Sequence, residues 1–226
     1  ESFRSKTDYL WKRLRVRNLS LLPDLGESVL DIGCADGAYW SILRRRFNRV
    51  VGVDIVREYF RSIPDRVGID LVLCDGAHLP FRDAAFDSAI CAEVLEHVPC
   101  PFKVLGEIVR VCRGVAVVSV PFNGLVRRVW WHITPVRRSK RVQDMRVGHI
   151  HEFGTNWVKE VRQRYRVTGI AGSGIVQYPR RSAPRFMLAK DLEERLGPPM
   201  LRLDQLLCRF PWSWRFGNRV HLQIRS

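Results

Sequence analysis

Four acidic side chains, Asp31, Asp54, Asp75 and Glu93, each close an apolar run, and this is the pattern in the chain most able to do chemistry. The run VLDIGCADGAYW (29–40) passes Asp31, turns through Gly33, Cys34, Ala35, Asp36 and Gly37, and resumes with helical character; VVGVDI then closes on Asp54 and Ile55. A strand, a glycine turn, a helix and a second strand ending in an acid make the βαβ layout of a nucleotide-binding unit. Gly33 and Gly37 lack a Cβ and permit a tight turn and close approach of a ligand. Asp54 stands about 20 residues past the turn, where a carboxylate can accept hydrogen bonds from ribose hydroxyls.

Asp31 narrows the choice of ligand. A carboxylate two residues before the turn repels a pyrophosphate, which prefers the free N–H groups of a helix N-terminus. It suits a ligand with positive charge at that point. S-adenosylmethionine offers a ribose to Asp54 and an ammonium and sulfonium to the acidic mouth. A dinucleotide site and an ordinary capped turn are the competing readings, the first weakened by Ala35 in the middle glycine position.

The segments VLDIGCADG, VVGVDI, LVLCDGAHLPF (71–81) and FDSAICAEVLEHVP (86–99), in that order, resemble class I S-adenosylmethionine-dependent methyltransferases, in particular the small-molecule, quinone-biosynthesis branch. The resemblance covers roughly residues 25–173 with a trace in the final strand. It implies a cofactor set of Asp31, Gly33, Cys34, Ala35, Gly37, Asp54, Ile55, Asp75, Gly76, Ala77 and Glu93, with Asp75 holding the adenine amine. It also implies a doubly wound, mostly parallel seven-stranded α/β sheet that ends in an antiparallel hairpin, at 164–171 and 218–225.

The elements that must position these acids follow from apolar periodicity. Strands are expected at 28–32, 50–54, 69–73, 86–91 and 114–119, with helices near 37–46, 57–62 and 100–111. Their alternation predicts a parallel sheet covered on both faces, with the ligand at the carboxyl ends of the strands. Residues 6–22 read as an amphipathic helix capping the cofactor site, so that 1–24 is a helical cap on a single domain spanning 1–226. That start lacks the apolar core of a signal peptide. No apolar run approaches the ~20 residues of a membrane-spanning helix. The cysteines form no CxxC pair and read as reduced thiols, which points to the cytoplasm.

Two segments exceed the minimal domain. Residues 121–149 carry Trp130 and Trp131 among seven basic residues between Arg127 and Arg146, and 173–217 contain YPRRSAPR and FPWSWRFG. Both should overhang the strand ends as an acceptor lid. The formal charge of +15 favours polyanionic partners. Anionic membrane with a lipid-like acceptor and RNA are the two such partners, against the plain alternative of solvated or ion-paired arginines.

Within AEVLEHV, Glu93, Glu96 and His97 are spaced to share one face of a helical turn, and GHIHEF adds His149 and His151. Glu93, Glu96, His97 and His151 resemble the metal-binding pattern of plant-type small-RNA 2′-O-methyltransferases. The commoner metal-free pattern, with His149 and Phe153 as its HxxxF pair, carries more weight, so no metal is favoured. His97, His149 and His151 are the candidate catalytic bases. There is no GxxxxGK[ST] loop, GxSxG elbow or HExxH helix, and CAEV replaces the NPPY-type tetrapeptide of amino-methyltransferases. The expectation is methyl transfer by in-line displacement to a small or lipid-like acceptor, with oxygen slightly favoured. RNA methylation and a non-catalytic cofactor-binding protein are the alternatives.

Overall fold

A computed structural model describes residues 17–23, 26–62, 68–124, 148–173, and 202–225 apart from 204, 205 and 208. Its elements run β1 (Gly26–Ile32), α1 (Trp40–Arg46), β2 (Phe47–Asp54), α2 (Arg57–Ser62), β3 (Ile69–Leu73), β4 (Phe86–Ala92), α3 (Pro101–Val111), β5 (Cys112–Pro121), α4 (Thr155–Arg164), β6 (Arg166–Ser173), a 3₁₀ turn (Ser213–Arg215) and β7 (Arg219–Arg225). The strands form one sheet in the order β3-β2-β1-β4-β5-β7-β6. The first five are mutually parallel, and β7 is antiparallel to both β5 and β6. This is the expected doubly wound sheet with its antiparallel end.

Alternate side chains leave opposite faces of a strand, and here both faces are buried. Leu30, Ile32, Val51, Val53, Ala89, Cys91, Ala116 and Val118 enter one core. Val29, Val50, Ile90 and Val117, one residue out of step, enter the other with Trp40 and Leu43. Burial on both sides explains the nearly continuous apolar runs. Helix α3 starts with Pro101 in its first turn, where the missing N–H costs nothing, and buries Val104, Leu105, Ile108 and Val111 along one stripe.

Residues 17–21 are helical, and the rest of the predicted cap lies outside the described residues. Asn18 fastens this helix to the sheet. Its amide donates to Tyr39 Oη (2.9 Å) and Ser119 Oγ (3.1 Å), and its Oδ1 faces His221 Nδ1 at 2.7 Å. With the amide hydrogens committed, Nδ1–H of His221 must donate to Oδ1. Nε2 is then the acceptor for the Ser173 hydroxyl, 2.7 Å away. Burial, helped by the charges of Arg17 and Arg219, pushes His221 down to about 3, so the imidazole is neutral.

The basic stretch 125–147, with Trp130 and Trp131, and residues 174–201 lie outside the described residues. Cys34, Cys91 and Cys112 are buried free thiols, as expected, whereas Cys100 is exposed at the start of α3; Cys208 lies outside the described residues. Among the described residues no helix is long and apolar enough to cross a membrane.

Candidate active site

The turn after β1 is built by three residues with positive φ, Gly33 (66°), Ala35 (44°) and Gly37 (77°). Glycine is required at two of them for space as well as conformation. A Cβ on Gly33 would lie 2.3 Å from Val94 Cγ2, and one on Gly37 would lie 2.4 Å from the Trp40 ring. The turn is stitched to β2 by Gly33 N–H and Cys34 N–H, which both donate to Val53 C=O. The structure starts α1 at Trp40 rather than at 37, because residues 35–39 are spent on this turn.

Asp31 and Asp54 face this turn from adjacent parallel strands, where Asp31 pairs with Gly52 and Ile32 with Val53. Asp31 is buried and accepts from the Trp40 indole N–H at 3.0 Å. Burial pushes its carboxyl up to about 7, against the pull of Trp40 and with the charge of Asp54 adding to the rise. Asp54 accepts from the N–H groups of Ala35 (3.0 Å, Oδ2) and Val56 (2.9 Å, Oδ1). A carboxylate has about four acceptor directions, so the two oxygens retain capacity for a pair of hydroxyls. Ile55, 68% exposed, and Leu73, 46% exposed, stand beside Asp54, the latter as its partner across β2 and β3. Exposed aliphatic side chains flanking a carboxylate suit a flat base attached to a ribose.

Asp75 is exposed two residues past β3. Its Oδ1 accepts from Ala77 N–H at 2.9 Å, which draws Gly76 and Ala77 into a tight loop around the carboxylate. Cys34 is buried behind Asp31 and Asp54, and burial with those charges pushes its thiol far up, so it packs rather than reacts. The acids at or near the ends of β1, β2, β3 and β4 therefore share the carboxyl edge of the sheet.

The second cluster departs from expectation. Residues 95–97 form a turn rather than a helix, closed by His97 N–H donating to Val94 C=O at 2.9 Å, and Glu93 has a φ of 58°. Glu93 Oε2 instead accepts from Arg219 Nε at 2.9 Å, joining the end of β4 to β7, while its buried Oε1 meets no donor among the described residues. Glu96 is 1% exposed, and neither of its oxygens has a hydrogen-bond partner among the described residues. Burial and the neighbouring Glu93 push its carboxyl up to about 9. His149 Nε2 and His97 Nε2 lie 3.9 and 4.0 Å from Glu96 Oε1, with the two rings edge-to-face at 4.8 Å.

The triad is therefore Glu96, His97 and His149, not the expected set with Glu93 and His151. The reason is local. Ile150 N–H donates to Glu96 C=O, fixing the loop so that His149 faces Glu96; His151 Nε2 approaches Pro99 C=O at 3.2 Å. Three contributors were missed from the sequence: Trp40 on Asp31, Arg219 on Glu93, and the Asn18–His221 pair. Trp40 carried a signal, being one helical turn past the glycine turn; the other two join segments remote in the chain.

A cleft of about 700 Å³ does not contain the acid row. It lies beside the end of β5, lined by Asn123, Thr155, Lys159, Trp212, Trp214 and Phe216. Trp214 packs on the buried Phe122 with ring centroids 5.9 Å apart, which anchors its inner wall.

Residues 30–118 match a family described as "Methyltransferase domain". Over 107 residues the chain is 36% identical to an uncharacterized methyltransferase of Mycobacterium sp. (strain KMS), a match covering 44% of this chain and 42% of that protein. It is 31% identical over 116 residues to the Homo sapiens protein named "Probable tRNA methyltransferase 9B", covering 51% of this chain and 24% of that one. The chain thus spans less than half the length of these relatives. In fold it is similar to a chain from the complex between the Haloferax volcanii Trm112 methyltransferase activator and a methyltransferase, with a TM-score of 0.63, 15% identity, and coverage of 100% and 96%.

Proposed function

With a class I S-adenosylmethionine-dependent methyltransferase domain in this chain as the premise, we propose that the protein methylates a small or lipid-like acceptor held in the cleft beside β5. The observation that carries the reading is a mainly apolar, aromatic-walled cleft just past the end of β5, on the same carboxyl edge of the sheet as the acid row. S-adenosylmethionine, when bound, supplies a methyl group already activated on a sulfonium. The chain's own residues bind and orient. Asp54 takes the ribose hydroxyls, Asp31 the ammonium, Asp75 the base amine, and Ile55 and Leu73 the faces of the base. Trp212, Trp214 and Phe216 exclude water around an apolar acceptor, and Lys159 adds a cation at its polar end. Holding nucleophile and methyl in line can supply on the order of 7–11 kcal/mol of the barrier.

A hydroxyl acceptor also has to lose its proton. His149 or His97 is the candidate base, each beside Glu96. A second reading of the same place is favoured by one observation, the buried Glu96 carboxyl beside two imidazoles, with no hydrogen-bond partner among the described residues. Glu96, His97 and His149 would hold a divalent cation, which would acidify an acceptor hydroxyl. Titration calorimetry with manganese tests it: heat abolished by Glu96→Ala with His149→Ala supports the ion, and no heat from the unaltered protein refutes it.

The test of function uses cofactor with a tritiated methyl group, incubated with the protein and a cell extract. The expected outcome is label in the organic-soluble or small-molecule fraction. Label confined to RNA would replace this reading with RNA methylation. No enzyme-dependent label, with cofactor binding intact, would leave a cofactor-binding protein without catalysis.

A further inference from the structure

We propose that the surface formed by Leu203, Leu206, Phe210 and Trp212 seats the protein on an anionic lipid bilayer. The proposal deepens, and rests on, the lipid-like acceptor reading. Leu203, Leu206, Phe210 and Trp212 are each 46–53% exposed. Single exposed apolar side chains are ordinary, but four large ones within ten residues form a patch of the kind that marks an interaction surface. Residues 202, 203, 206 and 207 are helical, and Arg209 N–H and Phe210 N–H donate to the carbonyls of Leu206 and Leu207 in the turn that leads on to Trp212.

Aromatic rings lead from this patch into the cleft. Phe210 stacks on Trp212 with centroids 5.2 Å apart and planes 12° from parallel, and Trp212 meets Phe216 edge-on at 5.5 Å. Trp212 and Phe216 also line the cleft. The outer apolar surface and the acceptor cleft are therefore continuous, the arrangement a molecule leaving a bilayer would need.

Charge selects an anionic bilayer. Arg202, Arg209 and Arg215 are exposed in the same stretch, against one acid in the sequence from 202 to 216, Asp204. Arginines at headgroup level beside Leu, Phe and Trp at the acyl boundary are the composition of an interfacial anchor. Single-stranded nucleic acid fits less well. Base stacking needs open ring faces. Phe210 and Trp212 cover one another, Phe216 closes against Trp212, and exposed leucines give a base nothing to stack on.

The test is sedimentation of the full chain with vesicles of phosphatidylcholine alone, or of equal parts phosphatidylcholine and phosphatidylglycerol. It needs neither cofactor nor turnover, so its failure is separable from failure of the acceptor reading. Binding to the mixed vesicles, at least about tenfold weaker on neutral ones, is expected. Leu203→Gln with Leu206→Gln, at solvent-exposed positions that leave the core intact, should weaken it about tenfold, as should Phe210→Ala. Equal binding by these variants, no preference for anionic vesicles, or no vesicle binding would each overturn the proposal. Tight binding of single-stranded RNA that Phe210→Ala abolishes, without vesicle binding, would reassign the surface to nucleic acid.

Discussion

Asp31 shows how burial sets a working range. Its carboxyl titrates near 7, so an ammonium meets a full negative charge only above that value. Affinity for S-adenosylmethionine should weaken as pH falls below about 7, by up to about tenfold per unit for one group. Calorimetry across that range, with a flat profile for Asp31→Asn, is the check. In the unliganded protein the sign reverses. The folded value lies above the ordinary 3.8, so the contribution of Asp31 to stability is complete below 3.8 and is lost as pH rises through about 7. Asp54→Ala should weaken cofactor binding by at least about tenfold, since it removes a charged acceptor and frees the N–H groups of Ala35 and Val56. Unchanged affinity would refute the ribose assignment. The place of Asp31, Asp54 and Asp75 along the carboxyl edge of the sheet was legible in the sequence, because each stands within two residues of the end of its own strand. The choice of His149 over His151 was not, because it turns on the backbone N–H groups of Ile150 and His151, which both donate to the carbonyl of Glu96, more than 50 positions earlier in the chain.

At the scale of elements, α3 does more than fill the core. Arg110 in its last turn donates to the carbonyls of Leu79 (3.1 Å) and Phe81 (2.8 Å), while Glu107 bridges back to Leu79 N–H. Asp83 and Glu107 hold the guanidinium in place and raise its pKa. One side chain thus secures the loop that follows Asp75. Arg110→Ala should lower stability by about 1–3 kcal/mol in urea unfolding, and should raise amide exchange at 75–83 more than in β1 or β2. The strands were legible because burial on both faces leaves unbroken apolar runs; the α3 stripe was legible from its period. The turn at 93–97 was read as helical because EVLEH has helical spacing; Glu93 at positive φ and its bond to Arg219 prevent that.

Across the whole molecule, Asn18 and His221 meet over 203 positions of chain, and no local pattern announces such a pair. Both are fully buried, so loss of one leaves the other's polar atoms unsatisfied. Asn18→Leu should therefore cost about 1–3 kcal/mol and loosen the 17–21 helix, seen as faster proteolysis near it. His221→Asn, able to renew part of the bonding, should cost less. The net charge of +15 was plain from composition, whereas the place where apolar surface accompanies it emerged only from the exposure of residues 203–212.

The strand order has a bearing on how this chain reaches its folded state. β7 follows β6 in the chain but lies between β5 and β6 in the sheet. Until it has been synthesised, β6 has no neighbour to join and β5 presents an open hydrogen-bonding edge, Val115 to Pro121, along most of its length. A nascent chain halted before Arg219 is thus a template for strand pairing with other chains. Residues 219–225 act as the wedge that closes that edge, and an early stop at that point should yield aggregates rather than a smaller folded protein.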